Sequence, residues 1–156
     1  MSPFRWASRV YWEDTDGGGI VYYANYLRFL ERARTEWLRS LGYSQRTLAE
    51  EPGIVFAVVS LNIEYRKPAR LDDQLLITCE PQVEGAATIV FAQQIYRFGG
   101  ETPLKGDDRE QLLVEAHARV ACLDARSLRP KRLPAFLADA DTLAAAHPRS
   151  NIKEPS

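Results

Sequence analysis

The chain has 156 residues, 46% of them hydrophobic, and 20 Lys and Arg against 21 Asp and Glu give a formal net charge of −1. That length fits one domain, burying roughly 68–70% of the surface its unfolded chain exposes, and the balanced charge lacks the basic excess of nucleic-acid binders. No stretch of about 18 uncharged apolar residues offers a membrane span, and MSPFRWASRVYW lacks the apolar run of a signal peptide, so a cytoplasmic protein is expected.

In chain order, FRWASRVYW (4–12) has the aromatic and β-branched content of a strand, ended by Glu13 to Gly19. From Ala24 to Leu41, the residues Tyr26, Leu30, Ala33, Trp37 and Leu41 recur at spacings of three and four, which places them on one face of a helix stopped by Gly42. On its other face Arg32 with Glu36, Glu31 with Arg34, and Glu36 with Arg39 read as charge pairs of a solvated surface. A short helix follows from Ser44 to Glu50, begun by cap-type Ser44 and Thr47 and ended by EPG.

Downstream the period changes to two. VVSLNIEYR sets Leu61, Ile63 and Tyr65 opposite Ser60, Asn62, Glu64 and Arg66, and PARLDD makes a turn. QLLITCEPQVE and ATIVFAQQIYRF form a hairpin around Glu84 and Gly85, and the loop GGETPLKGDDRE leads to a last strand. There Leu112, Val114, Ala116, Ala118, Val120 and Cys122 make a wholly apolar face. Cys79 and Cys122 sit in these apolar alternating stretches and read as reduced core residues. The tail after Pro134 forms a short helix with a frayed end. The order predicts an α+β layer architecture: one strand, a long helix, a short helix and four strands in an antiparallel meander that covers the long helix.

Most common chemistries lack their residues. There is no G-x-S-x-G and no G-x-x-x-x-G-K-[ST], and GGGIVY does not fit G-x-G-x-x-G. The two histidines, His117 and His147, have no cysteine or histidine at zinc-ligand spacing, so no metal site is expected.

What remains is DTDGGGIVYYANY (14–26). A free aspartate is ionised at neutral pH, so Asp14 or Asp16 is available as base or nucleophile without a histidine. The helix that begins just after it presents first-turn amides that lack an intrahelical partner and carry partial positive charge. A carbonyl placed there would be polarised, and a carboxylate or its activated water attacking it would make an acyl-transfer site from one loop. Gly17 to Gly19 let the chain turn sharply and let a substrate approach the backbone. The equal alternative is that Asp14 is a turn or capping residue and the glycines a plain connection.

VYWEDTDGGGIVYYANYLRFLERARTEWLRSLG, with IEYRKPARLDD and CLDARSLRPKRLP following in order, closely resembles the hotdog-fold acyl-CoA thioesterases, specifically the tol-pal-associated branch related to 4-hydroxybenzoyl-CoA thioesterase. The resemblance runs from about Phe4 to Pro134. It implies a hotdog domain over 1–134, a long central helix wrapped by an antiparallel sheet, with 135–156 as a tail. It implies an acyl-CoA substrate, no cofactor, Asp16 as the catalytic carboxylate and a backbone amide of Tyr23 on the thioester carbonyl. Many members of the branch carry histidine where Tyr23 stands, and the hydroxybenzoyl-CoA type carries tyrosine.

The resemblance further implies homodimers whose sheets continue across the interface, commonly paired into tetramers, with the acyl chain in a tunnel between subunits. For the coenzyme A phosphates the nearby cations are Arg66, Lys67 and Arg70, set against the alternative of ordinary solvated charge. Asn25 is either a polar contact near the carbonyl or a first-turn helix residue, and Gly19 offers the close backbone approach. Tyr22, Tyr23, Tyr26 and Trp37 either line the tunnel or fill the core. A hotdog dehydratase needs a histidine paired with a carboxylate, and none precedes His117. The remaining rival is a non-catalytic module that binds acyl groups or an acyl carrier protein near the cell-envelope machinery.

Overall fold

A computed structural model describes residues 3–99 and 110–138. Nearly all of the expected loop 99–110, the end of the tail and His147 lie outside the described residues. The elements in order are β1 (Phe4–Arg9), α1 (Tyr26–Ser40), α2 (Gln45–Glu50), β2 (Ile54–Tyr65), β3 (Gln74–Glu84), β4 (Thr88–Arg97), β5 (Gln111–Asp124) and α3 (Ala135–Ala138). A 3₁₀ turn over Tyr23–Asn25 leads into α1, so helical structure starts within a residue of the expected point.

The strands form one antiparallel sheet in the order β1-β3-β4-β5-β2. The meander holds for β3, β4 and β5, but β2 does not pair with β3 as the chain order predicted. It lies at the far edge, against β5. The eight residues between β2 and β3 reach about 26 Å when extended at ~3.3 Å each, enough to cross the ends of the intervening strands. Nearness in sequence therefore does not force pairing.

The helix covers the sheet because its apolar stripe is wide. Tyr26, Phe29, Leu30, Ala33, Trp37 and Leu38 are all buried, and they meet the inner sheet residues Leu75, Ile77, Phe91, Ile95, Ala116 and Ala118 in two adjoining clusters. Leu41, expected on this stripe, is only half-buried at the helix end. There Gly42, at φ +96°, takes the left-handed conformation the sequence suggested, and the amides of Gly42 and Tyr43 donate to Arg39 O (2.9 Å) and Leu38 O (3.3 Å). Ser44 caps α2 by accepting from the Thr47 amide at 3.2 Å. Leu137 of α3 is fully buried in the same core as Trp37 and Leu38.

Two departures from strict alternation matter for the site. The register of β5 against β4 shifts between Ile95 and Tyr96, so Leu113 rather than Leu112 turns fully inward. The Leu113 carbonyl then accepts from the amides of Arg66 (2.7 Å) and Lys67 (3.2 Å), fixing the chain just beyond β2. A second shift falls between Val58 and Ser60 of the edge strand β2, where Val58 and Val59 are half exposed.

Candidate active site

The segment between β1 and α1 is held by its own backbone. Asp14 closes a short 3₁₀ turn, and its Oδ2 accepts from the Tyr11 amide at 2.9 Å. Its carbonyl receives two more hydrogen bonds, from the Tyr22 amide (3.1 Å) and from Asn25 Nδ2 (3.0 Å). Asp14 is buried, and its Oδ2 and backbone carbonyl tie the start of the loop to the start of the helix. Asn25 gives its side-chain amide to this join.

Two residues later the situation reverses. The Asp16 amide donates to Ile20 O at 3.0 Å, closing a tight loop, and Gly17 and Gly19 sit at φ +92° and +89°, where a side chain would strain the backbone. Asp16 is exposed, and its Oδ1 accepts from the Gly18 amide at 2.7 Å, which fixes the carboxylate while Oδ2 has no protein partner among the described residues. A Cβ on Gly18 would stand 3.2 Å from Asp16 Oδ1, so the glycine there gives the carboxylate its place.

A second segment backs this loop. The amides of Val21 and Leu71 donate to Ala69 O (2.9 Å) and Gly19 O (3.0 Å), and the buried phenol of Tyr26 accepts from the Ala69 amide at 2.9 Å. Asp73 braces the turn by accepting from the Arg70 amide (2.8 Å) and from Arg97 Nη1 (3.0 Å). Arg97 also donates to Pro68 O at 3.2 Å and to Gln111. None of these braces was legible: PARLDD reads only as a turn, and Arg97 as the end of a strand.

At the head of the helix, the Tyr23 amide has no acceptor among the described residues, as the first-turn amides of a helix require. Its carbonyl accepts from the Tyr26 amide and from Tyr65 Oη, the latter at 3.1 Å. Tyr65 sits at the end of β2 and packs against both Tyr23 (centroids 6.2 Å) and Tyr26 (5.4 Å). Burial pushes the Tyr26 and Tyr65 phenols above their usual range. Sequence periodicity placed Tyr65 only on the side of Leu61 and Ile63, and its bond to Tyr23 carried no local signal.

An open groove of about 230 Å³ runs beside this helix start, walled by Tyr23, Tyr26, Tyr65 and Pro68 with Arg66 and Lys67 at hand. The structure thus brings Tyr23, Arg66 and Lys67 together and leaves Arg70 off the groove's walls. Arg66 is already paired, its guanidinium donating to Glu64 (2.9 Å) and Glu115 (2.7 Å). Lys67 has no side-chain partner among the described residues. The solvated face of α1 also differs from expectation. Glu36 and Arg39 do pair at 2.6 Å, but Arg32 lies over the Phe29 ring and Arg34 turns inward to Gln93 at 3.0 Å instead of meeting Glu31.

Among the described residues no group of three or more His, Cys, Asp and Glu could hold a metal ion, and no helix is long and apolar enough to cross a membrane.

The profile of the thioesterase superfamily matches residues 18–104, from Gly18 beside Asp16 through α1 and the strands β2, β3 and β4. The chain is 42% identical over 131 residues to the acyl-CoA thioesterase YbgC of Haemophilus influenzae, covering 84% of this chain and 88% of that one. It is 43% identical over 131 residues to the acyl-CoA thioester hydrolase YbgC of Escherichia coli, covering 84% and 90%. The solved structure of 4-hydroxybenzoyl-CoA thioesterase from Pseudomonas sp. strain CBS-3 superposes with a TM-score of 0.74 at 27% identity, over 86% of this chain and 96% of that one. With a long helix laid on a five-stranded antiparallel sheet and this match across its middle, the chain has the hotdog fold and belongs to the thioesterase superfamily.

Proposed function

We propose that this thioesterase hydrolyses acyl-CoA thioesters to a carboxylic acid and coenzyme A, with Asp16 as its catalytic carboxylate and the Tyr23 amide on the thioester carbonyl. One observation carries the reading: an exposed carboxylate with a free oxygen and a helix start with an unpartnered amide are held on one short, braced loop. The similarity to curated acyl-CoA thioesterases supplies the substrate class.

The thioester oxygen accepts from the Tyr23 amide, and the positive end of the α1 dipole favours the charge that develops there. Asp16 then takes a proton from water as the water attacks the carbonyl carbon. Collapse of the tetrahedral intermediate breaks the C–S bond, and the departing thiolate takes up the proton. In the covalent variant Asp16 attacks first, the thiolate leaves, and water cleaves the resulting anhydride. Both routes use the same free oxygen.

Gly19 and Asn25 border the carbonyl, and Lys67 at the groove faces the coenzyme A phosphates, with Arg70 reaching them from beyond its walls and Arg66 contributing less because two carboxylates already hold it. Residues 1–134 form the thioesterase domain, and 135–156 a tail whose first turn packs against it. The free side of β2, with Val58, Val59 and Leu61 exposed, pairs with a second copy, and dimers pair again into tetramers. A cytoplasmic location suits two free, buried cysteines.

The test is release of free thiol from short, long and aromatic acyl-CoAs by the wild-type protein. Turnover of any class supports the reading and names the acyl group. A folded protein silent on all of them, and active only on acyl carrier protein thioesters or on nothing, rejects coenzyme A as the carrier.

A further inference from the structure

The turn over residues 68–73 carries the segment that joins Asp16 to the helix start. Ala69 O and the Leu71 amide hold Val21 and Gly19, Ile20 bridges to Arg70, and the Ala69 amide reaches the Tyr26 phenol inside α1. Where this turn sits therefore sets where Gly19 to Val21 sit, and with them the spacing between the Asp16 carboxylate and the Tyr23 amide.

The end of β1 secures one end of the turn. The Val10 amide donates to Asp73 O and the Asp72 amide to Val10 O, both at 3.0 Å, and Arg9 Nη1 donates to Asp72 O at 2.9 Å. The other end is secured from across the sheet by one side chain. Arg97 Nη1 donates to Pro68 O (3.2 Å) and to Asp73 Oδ2 (3.0 Å), and the same Asp73 oxygen accepts from the Arg70 amide (2.8 Å), so a single guanidinium closes the turn on itself. The register shift after Ile95 supplies its support. With continuous pairing Arg97 would oppose Leu112; the shift sets Gln111 there instead, and Gln111 Oε1 accepts from Arg97 Nη2. The Arg97 and Asp73 side chains are 27% and 18% exposed, which screens this pair less than a surface one.

We infer that Arg97, which is not among the walls of the groove, is a positioning residue of the site: through Pro68 and Asp73 it fixes the turn that spaces Asp16 from the Tyr23 amide. This role rests on the proposed action of Asp16 on the thioester. It needs the planar fork of an arginine, because a lysine ammonium can hold Asp73 but cannot direct separate bonds to Pro68 and Gln111 as well.

The test is kinetic, on the best acyl-CoA substrate, with backbone amide exchange followed in parallel. Arg97→Met keeps the apolar stem and removes the donors. It lowers kcat about tenfold with KM within about twofold, since misplacement away from the chemistry is felt in the rate. Arg97→Lys recovers part of that loss. In the Asp16→Asn background Arg97→Met costs less than about twofold, because the carboxylate it would misplace is gone. Exchange of the Val21 amide quickens about tenfold while that of Ala33, in the middle of α1, is unchanged. If Arg97→Met does not fold, Gln111→Leu, which releases only Nη2, decides by the same pattern at smaller size. Unchanged kcat in folded Arg97→Met overturns the inference, as do equal losses in the wild-type and Asp16→Asn backgrounds. An active wild type indifferent to Arg97 sinks this role alone, whereas a wild type silent on every acyl-CoA sinks the proposed activity and this role with it.

Discussion

Asp14 and Asp16 stand two residues apart in one loop and live in opposite surroundings. Asp14 is buried, takes the Tyr11 amide on its carboxylate, and has its carbonyl doubly occupied by Tyr22 and Asn25. Asp16 is exposed, holds one backbone amide on Oδ1 and leaves Oδ2 open. The first is an anchor whose hydrogen bonds are all internal, and the second is a fixed carboxylate with capacity left for a substrate. A charged residue becomes available for chemistry when its neighbour does the structural work.

The sharpest way to break this comparison is Asp16→Asn, which keeps the Gly18 hydrogen bond and removes the charge. The expected loss is about 10²–10⁴ in kcat, the range for a catalytic acid–base group, with no change in unfolding midpoint. Gly18→Ala comes next. Its Cβ meets Asp16 Oδ1 at 3.2 Å, so the carboxylate must give by a few tenths of an ångström. A drop in kcat of about tenfold is expected, with near-native stability. Tyr65→Phe removes one of the two bonds to the Tyr23 carbonyl, leaving that from the Tyr26 amide, and should lower kcat about two- to fivefold with KM unchanged, because it loosens the helix start without removing the Tyr23 amide.

The smallest effect concerns a third aspartate of the same kind. Asp124 Oδ1 accepts the amides of Ser127 and Arg126, both at 2.9 Å, and those bonds hold its carboxyl below the usual range. A depressed folded value stabilises the protein above the unfolded carboxylate's range and is lost as pH falls through the folded one. Asp124→Asn should therefore be slightly less stable than wild type at neutral pH, the two converging in acid, as urea melts at both conditions will show. It should leave thioester hydrolysis untouched. An aspartate held by backbone amides is not by itself a catalytic one, and Asp16 differs in the helix start that follows it.

Local patterns account for much of the molecule. The 3.6-residue stripe of α1, the Gly42 stop, the Ser44 cap and the hairpin at Gly85 could all be read directly, because each depends on a few neighbouring residues. Sheet order could not. The place of β2 beside β5 is decided by long-range pairing, and the inward turn of Leu113 by a register shift that alternation cannot foresee. At the site, Asp16 and Tyr23 stood out through the resemblance, whereas the bond of Tyr65 to Tyr23 and the clamp of Arg97 on Asp73 span 42 and 24 residues. Arg34 was misplaced for the same reason. Its spacing from Glu31 suits a surface pair, yet Gln93, 59 residues away, draws it inward.

The most direct test of the central claim is a paired measurement of kcat and urea unfolding for Asp16→Asn and Asp14→Asn on the best acyl-CoA substrate. A crossing is expected: Asp16→Asn loses activity and keeps its stability, while Asp14→Asn, which puts an amide group in place of a buried carboxylate oxygen, loses about 1 kcal/mol of stability and keeps most of its activity. Near-full activity in Asp16→Asn, or loss of activity in Asp14→Asn without loss of stability, would contradict it.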